Sequence, residues 1–75
     1  MGARTQELDY RKLRAALRRW RVDATLTQRA LAAILKKPHS FVYKAEVGNR
    51  RLDVLEFKHW CKACGVDPSD KIREL

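Results

Sequence analysis

The stretch Thr27–Gly48, TQRALAAILKKPHSFVYKAEVG, holds two short apolar runs joined by LKKP. Thr27 can accept a bond from a free amide at a helix start, and Ala30, Leu31, Ile34 and Leu35 then recur at the three- and four-residue spacing of one helical face. Pro38 cannot extend that helix, because it has no amide hydrogen and its ring clashes with the turn before it. Its fixed φ does suit the first turn of another helix. The pattern therefore predicts a following helix from about Pro38 to Val47, closed by Gly48, the residue type that tolerates a left-handed backbone. This helix is oddly polar. Only Val42 and Ala45 are expected to point inward, while His39, Ser40, Tyr43 and Lys44 form a hydrogen-bonding face.

The flanks extend the same pattern. Upstream, Asp9 is the expected cap of a first helix with inward positions Leu13, Ala16, Leu17 and Trp20; its other faces carry Arg11, Lys12, Arg14, Arg18 and Arg19. Downstream of the loop GNRRL, Asp53 and Glu56 have the spacing of a capping box, and Val54, Phe57, Cys61 and Cys64 form one stripe up to Gly65. Asp67 can cap, and Pro68 can open, a short fifth helix bearing Ile72 and Leu75. Nothing predicts a strand, repeat or linker. The expectation is an all-α fold: one five-helix domain over residues 1–75, with an ordered core of about 9–75 and a flexible segment 1–8.

A chain of 75 residues buries so little apolar surface that its core yields only about 3–5 kcal/mol, which makes self-association a natural source of support. Its charge is unbalanced. Residues 1–52 carry 13 basic and 4 acidic side chains (+9), residues 53–75 carry 4 and 5 (−1), and the whole chain is +8. A basic front and a neutral back suit a protein that faces a polyanion with one surface and something uncharged with the other.

Several classes are disfavoured. The longest wholly apolar run is a few residues, whereas a membrane span needs about 20, and MGARTQELDY has no apolar stretch of the signal-peptide kind. A membrane partner is therefore not expected, although YRKLRAALRRWR also reads as a basic amphipathic helix that could lie on a surface. The expected location is cytoplasmic, with Cys61 and Cys64 reduced. CKAC and the nearby His59 fall short of the four ligands of a structural zinc, and the thiols lie late in a helix, not at its activating N-terminus. No metal or cofactor is expected. Two histidines, no Ser-His-Asp set that so small a domain could enclose and no phosphate-cradling glycine loop leave no candidate reaction, so no enzyme is expected either.

Two short helices joined by a tight turn within a basic, all-helical chain have the layout of a helix-turn-helix. In that layout the first helix of the pair crosses the DNA backbone, and the second lies in the major groove with its leading residues at base edges. A groove-lying helix needs a narrow apolar face and an outward polar one, which accounts for His39, Ser40, Tyr43 and Lys44.

The residues Thr27, Gln28, Leu31, Ala32, Leu35, Lys37, Pro38, Ser40, Phe41, Val42, Lys44, Glu46, Gly48, Arg50, Arg51, Leu52, Asp53, Val54, Glu56 and Phe57 resemble the phage-repressor helix-turn-helix family, also called the xenobiotic-response-element (XRE) family. The likeness runs without a gap from about Leu17 to Val66. It implies a lambda-repressor-like five-helix DNA-binding domain, usually dimeric, acting as a transcriptional regulator. Base reading is then assigned to His39, Ser40, Tyr43 and Lys44. Backbone contact falls to Gln28, Arg29, Lys37, Asn49, Arg50 and Arg51, with Gln28 holding a phosphate at the start of the second helix. Arg21 and Glu46 match a buried ion pair that ties the first helix to the third.

The chain departs from the pattern at three positions. Lys36 stands where the turn usually has Gly, so either Lys36 accepts a left-handed backbone at about 1–2 kcal/mol or the turn differs. Tyr43 replaces a small residue and could meet a phosphate or a thymine methyl. His39 replaces a frequent glutamine, and where glutamine suits adenine, histidine could donate to guanine N7 or O6.

The function implied is sequence-specific binding of double-stranded DNA by a regulator, expected to be a repressor acting as a homodimer on a pseudo-palindromic operator. Trp60 is read either as core or as a dimer contact, and Ile72 and Leu75 pose the same choice. Two alternatives stay open. One is an antitoxin-like autorepressor that also binds a toxin protein, and the other is an interaction adaptor on the same fold.

Overall fold

A computed structural model describes the backbone of residues 2–75 and the side chains of residues 7–75. Five helices follow in order: α1 (Gly2–Asp23), α2 (Gln28–Leu35), α3 (Ser40–Val47), α4 (Val54–Ala63) and α5 (Pro68–Glu74). No strand occurs among the described residues. The expected start of the first helix was misplaced. Asp9 lies inside α1, because the residues before it include no breaker after Gly2 and several good helix formers. The flexibility expected of residues 1–8 thus meets a helical backbone from Gly2 onward, and Met1 lies outside the described residues.

The caps follow local chemistry. Thr27 Oγ1 accepts from the Ala30 amide at 3.0 Å. Asp53 and Glu56 form the reciprocal box, with Glu56 N donating to Asp53 Oδ1 at 2.8 Å and Asp53 N donating to Glu56 Oε1 at 3.0 Å. Asp67 caps α5 through Ser69 N at 2.7 Å. The third helix begins two residues later than the sequence suggests: Pro38 supplies a carbonyl to Phe41 N, and His39 occupies the cap position without a side-chain cap bond.

Four turns close through left-handed residues: Thr25 (φ 59°), Lys36 (φ 57°), Gly48 (φ 91°) and Gly65 (φ 75°). Lys36 therefore does adopt the conformation that Gly would reach without strain; its amide donates back to Ala32 and Ala33. Thr25 was not anticipated. The turn that holds it is tied twice, since Leu26 N donates to Arg21 O at 3.1 Å and Arg21 Nη1 donates to Leu26 O at 2.9 Å.

Leu17, Leu31, Val42, Trp60 and Cys61 are fully enclosed at the centre, and Ala16, Trp20, Ala32, Phe41, Ala45 and Cys64 surround them. Burial of each large side chain there contributes roughly 1.5–3 kcal/mol before chain entropy is counted. Trp60 is a core residue and not a dimer contact. It is 0% exposed, and its Nε1 donates to Leu17 O at 3.2 Å.

Two other apolar positions face away from the core. Ile34 is 52% exposed: at about 100° per residue, Leu31, Ala32 and Leu35 define an inward arc that Ile34 falls outside. Val54 is 82% exposed because it is the first residue of α4, ahead of the turn that packs.

Candidate nucleic-acid interface

α3 packs on α2 and α1, and α2 packs on α4, so α3 is held along one side only. Its inner residues Phe41, Val42 and Ala45 are buried, whereas Ser40, Tyr43, Lys44 and Val47 are exposed. The exposed set has spacing i, i+3, i+4, i+7, which puts all four on one ridge opposite the core. His39, exposed, stands at the leading end of that ridge. Val47, 40% exposed, is an apolar member that sequence reading missed, though the spacing would have found it.

Beneath the ridge Arg21 grips Glu46 with two prongs, Nε to Oε2 at 2.6 Å and Nη2 to Oε1 at 3.0 Å. Gln28 joins this pair, its Nε2 donating to Glu46 Oε1 at 3.0 Å. That divides the role expected of its side chain: one of the two amide hydrogens goes to a carboxylate, and the other is left for a phosphate. The free main-chain amides at the start of α2 remain suited to an anion.

The six residues assigned to backbone contact separate into bound and free. Arg50 is bound, giving Glu56 a fork of 3.0 and 2.9 Å and donating also to Arg51 O at 3.0 Å. Lys37 Nζ reaches the same carboxylate at 3.3 Å. Both cations lie over the ring of Phe41, at 5.3 Å for Lys37 and 4.8 Å for Arg50. Hydrogen bonding from Arg50, then from the Asp53 amide and from Lys37, holds the Glu56 carboxyl down at about 2. The same bond to Glu56 raises the pKa of Arg50. Arg50 thus has a structural role here, its guanidinium forked onto Glu56 while the side chain stays 42% exposed. Arg29, Asn49 and Arg51 are exposed.

The N-terminal half of α1 is part of this surface, which local periodicity could not have revealed. Tyr10 lies between two guanidinium groups, with Arg51 4.1 Å and Arg14 5.4 Å from its ring centre, and its hydroxyl donates to Arg50 O at 3.3 Å. Arg14 Nη1 donates to Val47 O at 2.7 Å, capping the C-terminal end of α3. A glycine at position 48 makes room for that arginine, since a Cβ there would come within 2.5 Å of Arg14 Nη1. The arginines of the first helix, read as one solvated face, therefore divide: Arg14 supports α3, while Arg11, Arg18 and Arg19 are exposed.

The cysteine pair lies elsewhere. Cys61 and Cys64 are buried and unpaired in the core, where burial pushes both thiols up to about 11. Among the described residues no three His, Cys, Asp or Glu side chains gather as a metal site would require, and no helix is long and apolar enough to cross a membrane. The remaining candidate positions are exposed: Ile72 at 56% and Leu75 at 40%.

Comparison with known proteins matches this geometry. A family model described as helix-turn-helix matches residues 17–71. Nothing among curated proteins matches the chain. Among solved structures, an XRE-family like protein from Pseudomonas syringae pv. tomato str. DC3000 superposes with a TM-score of 0.93. It is 38% identical, and the match covers 97% of this chain and 89% of that one.

Proposed function

We propose that this chain, which belongs to the XRE-type helix-turn-helix family and so to its DNA-binding transcription regulators, is a repressor that binds a pseudo-palindromic operator as a homodimer in the cytoplasm. The observation that carries this reading is the ridge of α3, in which Ser40, Tyr43, Lys44 and Val47 are exposed along one line with His39 at its tip. Hydrogen-bonding groups there suit base edges in the major groove, and Tyr43 and Val47 suit a thymine methyl. Asn49, Arg51 and the leading amides of α2 suit the phosphates on either side. Lys37 reaches them only by loosening its hold on Glu56.

The homodimer reading rests on a second surface, formed by α1, α4 and α5. A groove of about 730 Å³ runs between α1, α4 and α5, walled by Leu13, Leu52, Phe57 and Ile72 with Lys58 and Asp67 among its lining. Residues 53–75 sum to −1 in a chain of +8, so this is where a second copy meets the least repulsion. Its lysine and aspartate give a two-fold contact opposite charges to match.

Selection of bound duplexes from a random pool tests the whole reading. Two half-sites centred about 34 Å apart are expected, and Ser40→Ala or His39→Ala should alter the preferred bases, whereas Arg51→Ala should weaken every sequence alike. Uniform weakening by all three, or binding that ignores salt, would refute it. Ile72→Glu should leave a folded monomer on a sizing column with light scattering.

A further inference from the structure

His39 touches a second residue of the proposed interface. Arg29, the second residue of α2, places Nη2 3.3 Å from His39 Nδ1. A guanidinium keeps its protons under all ordinary conditions and can only donate, so this contact makes Nδ1 the acceptor. A neutral imidazole has one proton for its two nitrogens, and with Nδ1 accepting, that proton belongs on Nε2.

We propose that Arg29 is a positioning residue for base recognition: it fixes the tautomer and ring plane of His39, so that the tip of α3 presents an Nε2–H donor to the DNA. The proposal rests on the reading that α3 lies in a major groove. A lone donor there suits guanine, whose N7 and O6 are adjacent acceptors, and opposes cytosine, whose exposed group at that edge is itself a donor. Specificity at one base pair is then set jointly by a residue of α2 and one of α3, and Arg29 acts through the ring without having to touch the base.

The geometry supports the pairing in two further ways. Gln28, the neighbour that could otherwise serve the tip of α3, is already committed to Glu46 at 3.0 Å. The cap position that His39 occupies makes no side-chain cap bond, so its ring is free for Arg29 and for a base.

Two measurements test this. In the free protein, in mildly alkaline buffer, nitrogen NMR of the histidine rings should show His39 as the Nε2–H form alone. Arg29→Ala should produce a mixture of tautomers, while His59 on α4 stays unchanged as an internal control. A His39 carrying its proton on Nδ1, or a tautomer indifferent to Arg29→Ala, overturns the proposal without reference to DNA.

In the random-duplex selection, the wild type should enrich guanine and deplete cytosine at one position of each half-site. Arg29→Ala and His39→Ala should each erase that preference at the same position and spare the others, with affinity for the best site falling about 10-fold, as expected for loss of one base contact. If Arg29 merely binds a phosphate, Arg29→Ala will weaken all sequences equally and leave the preference intact, which also overturns the proposal. If the wild type enriches no sequence, the DNA reading and the base preference fall together, while the NMR result still decides the Arg29–His39 pairing.

Discussion

Arg21 and Glu46, 25 positions apart in the chain, lock α1 to α3 through bonds of 2.6 and 3.0 Å, with side chains only 10% and 3% exposed. Removing one partner strands the other charge in a nearly dry site, at about 3–5 kcal/mol. That equals the whole margin expected of a domain this small. Glu46→Ala should therefore be largely unfolded at room temperature by circular dichroism. Arg21→Met with Glu46→Leu should recover part of the loss as a cooperative thermal transition, because an apolar pair of similar volume needs no partner charge, although Leu26 O and Gln28 Nε2 lose their partners. A Glu46→Ala protein that melts within a few degrees of wild type would refute the structural role.

Gly48 and Gly65 both have positive φ, 91° and 75°, but their surroundings differ. A Cβ at position 48 meets Arg14 Nη1 at 2.5 Å, whereas one at position 65 meets nothing within 4 Å. Gly65→Ala should lose only the left-handed penalty of about 1–2 kcal/mol. Gly48→Ala should lose more, because Arg14 must also leave the Val47 carbonyl. Lys36→Gly should act in the opposite direction, by less than about 1 kcal/mol, since relief of strain is offset by a freer unfolded chain. Chemical denaturation of the three variants gives the order directly.

The helical frame was legible because its signals are local. Thr27, Gly48, the Asp53–Glu56 box and the Asp67–Pro68 start each act within four residues and appear where the spacing put them, while Pro38 ends up just ahead of α3 instead of in its first turn. What local spacing could not supply was direction and reach. Ile34 and Val54 fit an apolar period yet face out, because an eight-residue helix and a first helical turn present too little surface to bury every member of the pattern. The start of α1 was missed because Asp9 is a good cap residue in a segment that also propagates as helix. The roles of Tyr10, Arg14 and Arg50 depend on partners 40, 33 and 6 residues distant, which no period encodes. The Arg21–Glu46 pair was legible only through resemblance to a family.

Glu56 makes stability depend on acid. Its folded pKa of about 2 lies below the ordinary value of 4.5, so its contribution is fully present above pH 4.5 and disappears as pH falls toward 2. Glu56→Gln keeps an N3 side chain able to bond the Asp53 amide but removes the charge that holds Arg50 and Lys37. It should be less stable than wild type at neutral pH and equal to it near pH 2. Urea midpoints across that window test this, and a constant difference between the two proteins would count against the ion-pair origin of the shift.

Tyr10 and Arg51 give the interface its clearest electrostatic prediction. Arg50 and Arg51 are adjacent and identical in kind, yet Arg50 is forked onto Glu56 while Arg51 stacks 4.1 Å from the centre of the Tyr10 ring with its donors free of any carboxylate. Each phosphate contact contributes about −0.9 to the slope of log affinity against log salt. Arg51→Ala should make the slope shallower by about that amount and weaken all sequences alike. Arg50→Ala should lower folding stability with little change in slope. Tyr10→Ala removes the ring that holds Arg51 extended and should weaken binding in the same uniform way. Tyr10→Phe, which keeps the ring and loses only the 3.3 Å bond to Arg50 O, should bind nearly as wild type. Because Tyr10 and Arg51 act as one unit, the double variant should cost less than the two single losses added together. Strict additivity, or a slope changed by Arg50→Ala and not by Arg51→Ala, would show that the stacked arginine is not the one that meets the backbone.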